Sequence, residues 1–210
     1  MNDGLQWIPT AYDTGYTIVF VENRSPSEMF ADLGFTAPAI VDLTKGEADQ
    51  IMMLDDDETV GDLDFVDVED DGLATLLTTA GFFPRPQSII RAGHAGTWAY
   101  LVESWYSHAA SDESLSRISA GTRAVAVHAS EAGFTRVTCA DKGAVVFSSE
   151  PGLPHLSIGR MPDFLQRFDT RTGESVGVAL LRFLEEEFGI GISVQSNEEG
   201  KLAAVAVPEE

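Results

Sequence analysis

Three runs of alternating apolar residues, Arg123 to Ala129, Phe134 to Ala140 and Ala144 to Ser148, follow one another with only short turns between them. The turns fall at Glu131 to Gly133 and at Asp141, Lys142 and Gly143. Parallel neighbours need a crossover of about a dozen residues or more, so runs this close must pair antiparallel as a meander. Upstream, YTIVFVE predicts a largely buried strand over Tyr16 to Val21, because β-branched and aromatic side chains suit a pleated surface. Thr97 to Ser104 predicts another, with Trp98, Tyr100 and Val102 on one face.

The helices announce themselves by their ends. Ser25 has the form of an N-cap, Pro26 suits the first helical position, Glu28 completes a capping box, and Gly34 stops a helix whose apolar face is Met29, Phe30 and Leu33. Ser111 caps a second helix running to Ala120 and closed by Gly121. The longest helix is expected from Ser175 to Phe188, where Val176, Leu180, Leu184 and Phe188 repeat every four residues and Gly189 ends the run. Ile192 and Val194 then alternate, SNEEGK makes a polar turn, and Leu202 to Val207 returns as a strand. The expected class is α+β in one domain over residues 1–210: an antiparallel sheet with a C-terminal meander, flanked by a few short helices and one longer C-terminal helix. Strand order and oligomeric state are not set by these patterns.

The section from Ala37 to Pro86 follows a different rule. Ala39 to Leu43 reads as a short strand and Ile51 to Leu54 as an apolar stretch. In GDLDFVDVEDDG, Leu63 and Phe65 share one strand face while Val66 and Val68 lie on the other, a slip that a bulge, an edge strand or a mobile loop each explains. Charge makes this section distinctive. The chain carries 34 acidic and 13 basic residues, a formal charge of -21. Between Lys45 and Arg85 no basic residue occurs, yet Glu47, Asp49, Asp55, Asp56, Asp57, Glu58, Asp62, Asp64, Asp67, Glu69, Asp70 and Asp71 all do. Solubility or adaptation to salt, which spreads acid over the whole surface, is a partial cause of this charge, and the concentration here is explained further by a solvated loop or by an electrostatic docking surface.

Such a charge repels phosphates and anionic lipid heads, which disfavours direct binding to nucleic acid or membrane. No apolar run is long enough for a membrane span, and MNDGLQW lacks the basic flank and apolar stretch of a secretory signal. The single cysteine, Cys139, excludes an intrachain disulfide and suits a reducing cytoplasm. The chain is read as cytoplasmic.

Motifs for common chemistries are missing. There is no GxSxG elbow, GxxxxGK[ST] loop, strand-linked GxGxxG or HExxH helix, so no catalytic residue is assigned and no cofactor is expected. His94, His108, His128 and His155 are scattered without metal-ligand spacing: His128 reads as structural within a strand, and His94, between glycines, as a loop residue. Cys139 reads as a small buried hydrophobe. Asp67, Glu69, Asp71 and Gly72 imitate the start of a calcium loop, but the closing position holds Thr78 where a bidentate Glu is needed, so no metal site is assigned.

Two surfaces remain as candidates. The first is an acidic docking surface of Asp55, Asp56, Asp57, Glu58, Asp62, Asp64, Phe65, Asp67, Glu69, Asp70 and Asp71 for a basic protein partner. On a strand, Asp62 and Asp64 would stand about 7 Å apart and repel by about 0.6 kcal/mol in water, a cost that a basic partner turns into attraction and faster encounter. Leu63, Phe65, Phe82 and Phe83 are the expected apolar anchors. The second is a cluster of Glu103, Trp105, Tyr106 and His108 at a strand end, which lines a small-molecule or enzyme pocket in one reading and packs the core edge in another. The leading expectation is a protein-binding domain, an acidic immunity or inhibitor protein that masks a basic partner. A pocketed enzyme or binding domain and a structural subunit of a bacterial assembly are the alternatives.

From Gly96 to about Ile192 the chain also resembles the actinobacterial family of unknown function DUF6461. The resemblance rests on WAYLVES with Trp98 and Glu103, the pair Trp105 and Tyr106, LSRISAGTRAVAV, VVFSSEP, PDFLQRF at Pro162 to Phe168, and ALLRFLEEEFGI, in that order. Trp7 and SPSEMFADLGF are similar too, whereas the acidic section and the last strand depart from the pattern. The resemblance implies a shared fold and a bacterial host, and supplies no catalytic residues.

Overall fold

The computed structural model describes residues 3–55, 57–67, 71–151, 153–169 and 173–209, with the backbone alone at Asp71 and Pro154. In chain order the elements are α1 (Ile8–Ala11), β1 (Gly15–Glu22), α2 (Pro26–Asp32), β2 (Val41–Leu43), α3 (Lys45–Met53), α4 (Asp71–Thr79), β3 (Ser88–Ala95) and β4 (Trp98–Ser104). They continue with α5 (Asp112–Ile118), β5 (Arg123–Ser130), β6 (Thr135–Asp141), β7 (Ala144–Ser149), β8 (Ile158–Gly159), α6 (Val176–Phe188), α7 (Val194–Glu198) and β9 (Leu202–Val207). The strands form one sheet in the order β2-β9-β3-β4-β1-β5-β6-β7-β8, with every neighbouring pair antiparallel. The expected meander is β5 to β7, extended by the two residues of β8.

Residues alternate between two covered faces. On the first, Tyr16, Ile18 and Phe20 of β1 join Trp98, Tyr100 and Val102 of β4 and Val125 and Val127 of β5, under Ile8 and Tyr12 and under Leu180, Leu181 and Leu184 of α6. On the second, Val19, Val21, Ala99, Leu101, Ala124 and Ala126 lie under Met29 and Phe30 of α2 and Leu115 and Ile118 of α5. The alanines of that face let short helices lie close to the strands. A third cluster covers the β2–β9–β3 end of the first face: Ala48 and Ile51 of α3, Val60, Leu63, Val66 and Leu77 pack on Val41, Leu43, Ile89, Ala204 and Ala206.

The capped helices form where their ends predict them. Ser25 accepts from the Glu28 amide, and Glu28 accepts from the Ser25 amide. Gly189 ends α6 in the left-handed region at φ 62. Several elements differ from expectation. The apolar stretch at Ile51 to Leu54 is the end of α3, whose N-cap Thr44 and N3 residue Glu47 form a second capping box. SIIRAGHA is the full strand β3, so His94 is a strand residue rather than a loop residue. The glycine that obscures this strand is a packing requirement: a Cβ on Gly93 would stand 2.5 Å from the Tyr100 hydroxyl of the neighbouring strand. SNEEGK is likewise not a simple turn, since α7 occupies Val194–Glu198.

Leu180 is fully buried between α6 and the first face. Leu180→Ala is expected to lower stability by about 2–5 kcal/mol, and Thr44→Ala by about 1 kcal/mol through loss of the α3 cap. Urea unfolding should show both as shifted midpoints with unchanged slope.

Candidate functional site

The acidic section is not a strand. After α3, the Asp55 amide donates to Glu58 Oε2 at 2.7 Å, and the amide and hydroxyl of Thr59 donate to Asp62 Oδ2 at 2.7 and 2.8 Å, starting a 3₁₀ turn over Val60–Asp62. Val60, Leu63 and Val66 point inward to the third cluster. This three-residue spacing was present in the sequence and accounts for the apparent slip between Phe65 and Val66: the inward residues follow a turn-like period, not the period of two. Asp62 and Asp64 therefore do not share a strand face.

Asp55, Asp57, Glu58, Asp62, Asp64 and Asp67 are all exposed on this anchored backbone. Asp56, Glu69 and Asp70 lie outside the described residues, as does the side chain of Asp71, so the calcium-like spacing is not described either. Thr78, its closing position, donates its hydroxyl to the Ala74 carbonyl within α4. Hydrogen bonds from Thr59 hold the Asp62 carboxyl below the usual carboxylate range. The expected apolar anchors are mostly used in folding: Leu63 and Phe82 are buried, and Phe65 and Phe83 are half-buried against the third cluster. The exposed apolar side chains nearby are Met53 and Leu76. Beside Asp55 and Glu58 lies a depression of about 180 Å³, also lined by Phe83, Pro84, Arg85 and Glu209.

The second candidate cluster divides between core and surface. Glu103 is 1% exposed, accepting from Ser88 Oγ at 2.6 Å and from the Ala109 amide at 3.1 Å. Burial pushes its carboxyl pKa up, opposed by those bonds and by nearby His108. Trp105 turns the chain out of β4 at φ 64, held by its amide to the Gly15 carbonyl. Tyr106 is exposed, and its ring centroid is 6.0 Å from that of half-buried His108. Glu103 is thus buried beneath this segment, with the His108 charge acting on it, while Tyr106 faces out.

Sequence reasoning missed a polar row that begins at Glu103. In register across adjacent strands, Glu103 pairs with Thr17, Thr17 with His128 and His128 with Arg136, so the four share one face of the sheet. The single hydroxyl proton of Thr17 goes to the Tyr106 carbonyl at 2.6 Å, so His128 Nδ1, 2.9 Å from Thr17 Oγ1, must donate to that oxygen. The neutral ring then carries its lone pair on Nε2. Burial and the Arg136 charge lower the His128 pKa. His128, Arg136, Ser107 and Asp112 line a depression of about 80 Å³, and Arg136 and Asp112 also line a neighbouring one of about 240 Å³ with Val146, Ile158 and Glu150. The signal available in the sequence was the alternation of β5, which puts His128 on the face of Ala126.

Among the described residues, no group of three or more His, Cys, Asp or Glu side chains is placed to hold a metal ion, and no helix is long and apolar enough to cross a membrane. Cys139 is buried in β6, which pushes its thiol pKa up to about 12. No protein-family model, no curated protein and no solved structure matches the chain.

Glu103 yields a signed prediction. Its folded pKa is raised above the ordinary 4.5, so its contribution to stability is fully present below that value and is lost as pH rises through the raised one. Glu103→Gln keeps a neutral group able to accept from Ala109 and should flatten this part of the stability–pH curve. Glu103→Ala leaves the Ala109 amide unsatisfied and should cost about 1–3 kcal/mol. Denaturant midpoints measured from pH 4 to 8 for the three proteins check both statements.

Proposed function

We propose that the chain is a protein-binding domain that presents its acidic face, centred on Asp55 to Asp67, to a basic partner and masks it in the manner of an immunity or inhibitor protein. The observation that carries this reading is the fixed outward display of carboxylates from a segment whose Val60, Leu63 and Val66 are locked into the core. A preset array of charge steers encounter without an ordering cost on binding. Met53 and Leu76 supply exposed apolar contact. Membership of the DUF6461 family and a cytoplasmic location belong to the same proposal.

A second reading, a small-molecule site, is favoured by the depressions beside His128 and Arg136 rather than by the Trp105 segment. Here His128 Nε2 would accept a hydrogen bond and Val146 and Ile158 would take an apolar group.

The acidic reading is tested with residues that carry no cap, because Glu58 and Asp62 hold the turns. Asp55→Asn, Asp57→Asn and Asp64→Asn combined should leave unfolding unchanged and slow association with a partner captured from the native host by about tenfold or more at low salt, the gap closing at high salt. Equal association rates at both salt concentrations would refute the acidic face as the docking surface. His128→Ala should leave that association unaffected, which separates the two readings.

A further inference from the structure

The second face of the sheet is not covered along its whole length. Leu115 and Ile118 of α5 pack over Ala140 of β6, whereas Arg136 near the other end of that strand is exposed. Register places His128 of β5, Arg136 and Thr138 of β6, Ser148 of β7 and Ile158 of β8 on this same face. The two depressions there, of about 80 and about 240 Å³, share Asp112, Arg136 and Ser148 as walls. Their other walls differ. The smaller has His128, Ser107 and Thr138, while the larger adds the exposed apolar side chains of Val146, Leu156 and Ile158.

Opposite charges stand at the junction of the two depressions without neutralising each other. Arg136 meets Glu150 through Nη2 alone, at 3.4 Å, so among the described residues its other N–H groups have no hydrogen-bond partner. Asp112 suits the start of α5, where a carboxylate favours the helix dipole, yet its side chain is exposed and forms no ion pair among the described residues. Glu113 beside it is engaged by Arg117, and Arg160 is a wall of neither depression. His128 adds Nε2, which has no partner among the described residues and reaches solvent as an acceptor. A lone carboxylate ligand is disfavoured here, because two carboxylates face one guanidinium, and a lone amine is repelled by Arg136. A ligand that carries both charges answers Asp112 and Arg136 together.

We propose that this junction binds a free α-amino acid with a branched aliphatic side chain: its carboxylate on Arg136, its ammonium between Asp112 and His128 Nε2, and its side chain on Val146, Leu156 and Ile158. The proposal rests on the reading of these depressions as a small-molecule site and names the ligand class. Space at the apolar end suffices, since an apolar cavity of about 150 Å³ already holds benzene.

The test titrates leucine into the full chain at pH 7 while the NMR signals of the His128 ring and the Ile158 methyl groups are followed. Isocaproate, which lacks the ammonium, and isoamylamine, which lacks the carboxylate, are titrated in parallel. The expected result is saturable movement of both signals with leucine, and binding of each analogue weaker by about tenfold or more. Asp112→Asn should weaken leucine to the level of isocaproate, and Arg136→Gln to the level of isoamylamine. Either analogue binding the parent chain as tightly as leucine overturns the zwitterion and leaves the small-molecule site standing. Leucine that moves neither signal also overturns the proposal, and uncharged fragments titrated against the same two signals then decide the broader reading separately. The analogue comparison uses only the parent chain, so it decides even if Arg136→Gln does not fold.

Discussion

Strand β1 is buried on both faces, and the rest of the fold follows from that. It is hydrogen-bonded to β4 on one side and β5 on the other, and its residues from Gly15 to Val21 are all buried. A central strand in this position requires a covering layer above and below it. The first face carries large side chains, Tyr16 and Phe20 beside Trp98 and Tyr100, and receives the 13-residue α6. The second carries Ala99, Ala124 and Ala126 and receives two helices of seven residues each. A one-residue slip of β1 would set the wrong side-chain sizes against both layers, so the register is specified from both directions.

Elements that obey a single local rule were legible in the sequence. The β5–β7 meander, the Ser25 and Ser111 caps and the four-residue repeat of α6 required only neighbouring residues to interpret. What was obscured depends on tertiary partners. β3 was hidden because Arg91 and Gly93 look unlike strand interior, and both make sense only once Tyr100 and the Leu43 and Asn197 carbonyls are in place. The α3 capping box at Thr44 and Glu47 was a local signal, masked by weak amphipathicity among the charges of KGEADQ. Of the candidate site residues, the acidic ones were legible as a concentration, but their arrangement was misread because period two was assumed where the inward residues come every third position.

The two buried charges show why the sheet cannot be treated as a uniform apolar slab. Glu103 and Arg91 sit on adjacent strands one register position apart, close along the backbone yet separated by the pleat. Had they shared a face they would have formed a buried ion pair. Instead each is answered separately. Glu103 is held by Ser88 and the Ala109 amide and is driven toward its neutral form by burial. A guanidinium cannot take that route, because arginine does not lose its proton in proteins. The asymmetry between the two sides of the sheet is therefore chemical: a buried acid can adjust its own charge, whereas the buried arginine keeps its charge and is met by the Leu43 and Asn197 carbonyls.

The same distinction bears on the acidic surface. Several of the chain's carboxylates are structural acceptors, with Glu28, Glu47, Glu58 and Asp62 each receiving a backbone amide at the start of a helix or turn. An acidic residue used in this way does not require a partner to explain it. Asp55, Asp57 and Asp64 have no capping role, and they stand on a backbone that buried Val60, Leu63 and Val66 prevent from relaxing away from its own repulsion. A solvated loop would spread such charges apart at little cost. Carboxylates fixed on a pinned turn keep whatever repulsion they have in the free protein, and in the proposed docking a basic surface laid against them would remove it, so rigidity is what that proposal depends on.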